Sequence, residues 1–159
     1  MRILKEKPLA VVAILLVVAL FAALIFFFTR ERTEVLYGPP DLYVTLDAEP
    51  VFVQEAYHKW HARHGFGAMN GTGGSDRLPS ADDEIAADSG EMIIDFGSYP
   101  PQSLKVSYST QQNHERKPLQ VENGKVELIP GSVFYHITAE WQAEKYSGMA
   151  RYNLLINAE

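Results

Sequence analysis

The 159-residue sequence contains no cysteine. Disulfide scaffolds, thiol catalysis and lipidation at a cysteine are therefore excluded. Basic residues are scarce beyond the N-terminus: residues 30–159 hold 11 Lys and Arg against 19 Asp and Glu, a formal charge of −8. A domain of that sign repels phosphate unless it carries a local basic stripe, and none is visible, so general nucleic-acid binding is excluded. Catalytic signatures are missing too. The clusters Gly65-x-Gly67 and Gly71-x-Gly73-Gly74 are not followed by Lys-Ser or Lys-Thr and so are not phosphate loops. Ser75 and Ser98 lack the Gly-x-Ser-x-Gly setting of a nucleophile elbow. There is no repeat of fixed period.

What is present divides sharply along the chain. Leu9 to Phe28 is an unbroken run of 20 apolar residues with no polar side chain and no internal proline. As a helix it would span about 30 Å, the thickness of a bilayer's hydrocarbon core. A cleaved signal peptide has a shorter apolar core, about 7–15 residues, and small residues at its cleavage site. Here Phe26-Phe27-Phe28 and Thr29-Arg30 follow instead, which favours an uncleaved signal anchor. Arg2, Lys5 and Lys7 outweigh Arg30 and Arg32, and that bias keeps the N-terminus inside. The expected plan is a cytoplasmic tip over 1–7, a transmembrane anchor over 8–29 in the lipid bilayer, a stalk over 30–40 and an extracytoplasmic domain over 41–159. That domain length suits one core.

All 11 glycines and eight of the nine prolines lie beyond residue 29, as punctuation between short alternating segments. Leu42, Val44 and Leu46 share one face of their segment. Val133, Tyr135, Ile137, Ala139 and Trp141 share another, as do Ala150, Tyr152, Leu154 and Ile156. Val51–Tyr57, Met92–Phe96 and Ser103–Thr110 read as further strands. Asn123-Gly124 between Leu119/Val121 and Val126/Leu128 is the strongest hairpin signal in the chain. About eight strands with one wet face predict an all-β, antiparallel sandwich, with Trp60 and Trp141 in its core. Residues 65–88, rich in Gly, Asp and Ser, predict a long loop.

Three stretches resemble uncharacterised membrane-anchored extracytoplasmic β-sandwich proteins of Gram-positive bacteria. They are Ala56-Tyr57-His58-Lys59-Trp60; Ile94-Asp95-Phe96 with Pro100-Pro101 and Leu104-Lys105-Val106; and Tyr135 to Trp141 with Gly148 to Ile156. The resemblance covers most of residues 42–156 and rests on packing motifs. It implies an immunoglobulin-like fold outside the membrane and supplies no catalytic residues.

His58, His61 and His64 fall within seven residues. On a helix they would occupy one broad face on which two could share a metal ion, with a fourth ligand from Asp82, Asp83 or Glu84. On a strand, His58 and His64 point one way and His61 the other. The same cluster could respond to pH, and a solvated loop around a buried Trp60 is the plain alternative. Asp82-Asp83-Glu84 with Asp88 and Glu91 lacks the spacing of a calcium loop. Asn70-Gly71-Thr72 has the form of a glycosylation sequon. Tyr57, Trp60, Phe96, Tyr108, Phe134, Tyr135, Trp141 and Tyr152 mostly sit at core periodicity, which leaves one or two for stacking on carbohydrate. The expected function is a non-enzymatic, cofactor-free binding module that meets an envelope protein or cell-wall polymer. The alternative is a metal- or pH-responsive envelope protein using His58, His61 and His64.

Overall fold

The structure is a computed structural model, and it describes residues 16–21, 35–64, 67–88 and 90–159. The chain divides into two units, Met1–Thr33 and Glu34–Glu159. Of the predicted anchor only residues 16–21 are described; they are helical and exposed, and the rest of that prediction lies outside the described residues. Among the described residues no helix is long and apolar enough to cross a membrane.

The second unit is all-β. Its strands are β1 (Leu42–Leu46), β2 (Glu49–Val53), β3 (Glu55–His64), β4 (Gly67–Gly74), β5 (Ile85–Ala87), β6 (Glu91–Asp95), β7 (Ser103–Thr110), β8 (Lys117–Leu119), β9 (Lys125–Glu127), β10 (Gly131–Gln142) and β11 (Tyr146–Ala158). One sheet has the order β2-β1-β6-β9; the other runs β4-β3-β11-β10-β7-β8, with β5 beside β11. Every pairing is antiparallel except β5 with β11. The two sheets share one core. Leu42, Val44, Met92, Ile94 and Val126 come from the first, and Val106, Tyr135, Ile137, Ala150, Tyr152 and Ile156 from the second. These are the faces that the alternation predicts, because successive side chains on a strand point to opposite sides.

The centre of the core is aromatic. Trp60 and Trp141 lie 5.5 Å apart, Phe96 meets Trp141 edge-on at 5.2 Å, and Tyr146 stacks on Trp60 at 5.7 Å. Each indole also anchors a loop: Trp60 Nε1 donates to the Leu36 carbonyl at 2.8 Å and Trp141 Nε1 to that of Tyr99 at 2.9 Å. Both rings sit beside Gly148, which opposes Trp60 on β3 and Trp141 on β10. A Cβ at 148 would stand 2.6 Å from the Lys59 carbonyl oxygen and 2.9 Å from Trp60 Cδ2. Only glycine lets the flanking rings close over that strand.

Three expectations need correction. The segment Val51–Tyr57 is not one strand: the chain leaves the first sheet after Val53 and enters the second at Glu55. Residues 67–74, expected as loop, form β4, because pairing with β3 from Tyr57↔Gly74 to His64↔Gly67 overrides the poor strand propensity of glycine. The Asn123-Gly124 turn forms, with φ of 52° and 78° and the Glu122↔Lys125 bridge. Its arms, however, part company: β8 pairs with β7 in one sheet and β9 with β6 in the other. Turn chemistry is local, whereas the sheet that each arm joins depends on where its apolar face is covered.

Candidate functional site

The β2–β3 crossover, Phe52 to Ala56, separates two clefts. One of about 400 Å³ is lined by Tyr37, Pro39, Asp41, Phe52, Glu55 and His58, with Tyr152 among them. The other, about 640 Å³, lies between the crossover and residues 74–85, over Asn153 and Leu155.

The first cleft is built by the segment that precedes β1. Val35 and Leu36 pack against the core. The Leu36 carbonyl takes the Trp60 hydrogen bond, and the Pro40 carbonyl accepts from Tyr152 Oη at 3.0 Å. These two points tie residues 35–40 to the sandwich and leave Tyr37 53% exposed. Opposite, Tyr43 and Phe52 pair across β1 and β2 on the outer face of the smaller sheet, their rings edge-to-face at 5.7 Å. They are 44% and 55% exposed. Tyr37, Tyr43 and Phe52 are the exposed aromatic residues of this domain among the described residues. The aromatic residues singled out from the sequence are buried or half-buried instead. Alternation at β1 marked Tyr43 as outward-facing; the exposure of Phe52 and its place with Tyr37 in the cleft needed the fold. Burial, with the Glu55 and Asp41 carboxylates nearby, pushes the Tyr152 phenol well above its usual value. It therefore stays protonated and donates to Pro40.

Of the histidine cluster, His58 and His61 do not converge. β3 is a strand, and it places His58 in register with Ala150, a core residue, and His61 with Ser147. The two rings thus lie on opposite faces of the sheet. His58 Nδ1 meets Glu55 Oε1 at 2.6 Å, and His61 Nδ1 meets Asn70 Oδ1. The His64 side chain lies outside the described residues. Among those described, no three His, Cys, Asp or Glu side chains are grouped to hold a metal ion. Asp83 instead accepts from Ser80 N and Oγ at 2.9 and 2.7 Å, and Glu84 accepts from Ser132.

A polar chain that the sequence did not reveal runs beneath the second cleft. Ser109 Oγ lies 2.9 Å from His136 Nε2, and His136 Nδ1 lies 2.8 Å from Asn153 Oδ1. Asn153 Nδ2 donates to the Arg77 carbonyl at 3.0 Å and faces Asp76 at 3.4 Å. The Asn153 oxygen is therefore the atom turned to His136, so Nδ1 carries the imidazole proton and Nε2 accepts from Ser109. Arg151 at 3.0 Å and Arg116 at 3.6 Å complete the surroundings of Asp76. Burial alone would raise the Asp76 pKa, but the Asn153 hydrogen bond and the two guanidiniums outweigh it and hold the carboxyl below its usual value. Burial is also the largest influence on His136 and keeps it neutral by lowering its pKa, aided by Arg116 and opposed by Asn153 and Asp76. The spacings are those of a serine–histidine relay. Yet Ser109 and His136 are 3% and 5% exposed, and neither lines the cleft above. The relay reaches no substrate and instead ties three strands to residues 75–80. Alternation marks His136 as outward-facing, opposite to Tyr135 and Ile137. It is buried because the chain after β4 passes over this end of the sheet, where Phe134 and Leu155 are also buried away from the main core.

No protein-family model, curated protein or solved structure matches the chain.

Proposed function

We propose that the chain is a membrane-anchored, extracytoplasmic binding module without enzymatic activity, and that the aromatic cleft takes a neutral cell-wall polysaccharide. The carrying observation is that exposed Tyr37 and Phe52 line one cleft with the Asp41 and Glu55 carboxylates, and that exposed Tyr43 packs on Phe52 beside it. Leaving a ring such as Phe52 in water forgoes about 1.5–3 kcal/mol of burial, and clustered exposed apolar surface marks an interaction site. Sugar rings offer apolar C–H faces to aromatic rings and hydroxyls to carboxylates. The charge of −8 on residues 30–159 disfavours an anionic polymer, which selects a neutral one.

The anchor rests on the apolar run Leu9–Phe28, of which Leu16 to Phe21 are helical with exposed apolar side chains. The bias of Arg2, Lys5 and Lys7 puts the sandwich outside. Two sheets over one core, with the chain crossing between them after β2, β5, β6, β8 and β9, support placing the sandwich among immunoglobulin-like folds.

The test is cosedimentation of the detergent-solubilised full chain with insoluble cell-wall polysaccharide. The chain should enter the pellet, and Phe52→Ala or Tyr37→Ala should leave it largely in the supernatant. A wild-type chain that stays in the supernatant, or variants that pellet as it does, would defeat the proposal.

A further inference from the structure

Sheet edges expose backbone N–H and C=O groups that invite another strand, and proteins blunt them with short strands, charge or proline. Most edges here follow that rule. β8 is three residues long and contains Lys117 and Pro118; β9 is three residues with Lys125 and Glu127; β2 opens with Glu49-Pro50; β5 has three residues. β4 does not follow it. It is eight residues long, Gly-Ala-Met-Asn-Gly-Thr-Gly-Gly, with neither charge nor proline. It ends the order of the larger sheet, and among the described residues it pairs only with β3.

We infer that the free edge of β4 pairs with β4 of a second copy of this chain, antiparallel about a two-fold axis normal to the sheet. Roughly half the backbone polar groups of an edge strand point away from its one neighbour, and they would close the new ladder. The occupant follows from symmetry and charge. An antiparallel strand is complementary to itself about a two-fold axis, so one surface serves both copies. The domain as a whole is acidic and repels its own kind, but β4 brings no charge to the contact. Its cross-strand neighbours on β3 are not acidic either: they run from Tyr57 to His64 and include Lys59 and Arg63. The axis also keeps faces matched. Asn70 and Thr72, level with His61 and Lys59 on the outer face, stay outside in both copies. Met69, level with the buried Ala62 yet 46% exposed, gains apolar cover at the join. Matched faces require paired residues of like parity, so at most seven residues of each β4 can pair, a small interface suited to reversible association.

The absence of cysteine makes the test clean. Asn70→Cys and Thr72→Cys are introduced singly into the full chain in detergent micelles, with Lys117→Cys on β8 as the control. A short bis-maleimide then reports the dimer on a denaturing gel. Both β4 positions should cross-link several-fold more than position 117. Adding Thr72→Lys to the Asn70→Cys chain sets like charges across the axis at an exposed site and should cut that yield several-fold. The fluorescence of Trp60 and Trp141, both in the core, reports that each variant is folded. Equal yields at 70, 72 and 117, or a yield at 70 indifferent to Thr72→Lys in a folded chain, would overturn the inference.

Discussion

Gly148→Ala adds one methyl group at the place where the aromatic core closes most tightly. Its carbon would lie 2.6 Å from the Lys59 carbonyl oxygen and 2.9 Å from Trp60 Cδ2, whereas ordinary contact begins at 3.4 Å. Trp60 Cε3 is nearer still, so the ring or the strand must retreat by about 1 Å in a close-packed interior. The ring has little room to do so. Trp141 stands 5.5 Å to one side, Tyr146 is stacked at 5.7 Å, and the Leu36 carbonyl holds the indole N–H at 2.8 Å. Overpacking of this kind costs about 1–3 kcal/mol, and a weakened Trp60 hydrogen bond adds about 1 kcal/mol. A loss of about 2–4 kcal/mol is expected. The assay is urea unfolding of the full chain in detergent micelles, followed by tryptophan fluorescence. The protein has two tryptophans, and both are in this cluster, so the signal reports the sandwich alone. Trp60→Leu should then relieve part of the penalty in the double variant, because the methyl group would no longer meet the indole. A Gly148→Ala chain within 0.5 kcal/mol of wild type, a difference typical of uncritical surface substitutions, would refute the packing argument.

Trp141→Ala should cost about 3–5 kcal/mol by the same assay, since the ring is 4% exposed and both Phe96 and Trp60 lean on it. Phe52→Ala should change stability by no more than about 1 kcal/mol, because the ring is 55% exposed, while abolishing most polysaccharide cosedimentation; a large loss of stability would mean that Phe52 serves folding. The neutral, buried His136 predicts acid sensitivity. As pH falls below the ordinary value of 6.5, the unfolded chain takes up a proton that folded His136 refuses, so stability is lost progressively until its lowered pKa is reached. Urea midpoints at pH 7.5 and 5 should show that His136→Gln flattens this fall, and an unchanged slope would show that His136 does not contribute to it.

Alternation along β1, β10 and β11 was enough to identify the core faces, because a strand's period of two assigns each side chain a side before any partner is known. The same logic marked Trp141 for the interior, where Trp60 was also expected as a large aromatic residue. Turn chemistry at Asn123-Gly124 was equally local and formed as read. Two kinds of feature were not legible. The first is partnership: that β8 and β9 join different sheets, or that glycine-rich 67–74 is a strand, follows from where neighbouring backbone and apolar cover are available. The second is covering by distant chain. His136 reads as an outward residue and is buried by the segment after β4, while Tyr37 comes to Phe52 only because Trp60 and Tyr152 tie residues 35–40 down. The sequence by itself determined composition, charge, the apolar run and the side on which each strand residue points, since these are properties of a chain and its local geometry. Only the tertiary structure decided that His58 and His61 part to opposite faces, that Ser109 and His136 of the relay are buried and that Tyr37 and Phe52 line one cleft. Those outcomes depend on contacts between residues far apart in the chain, which no local pattern encodes.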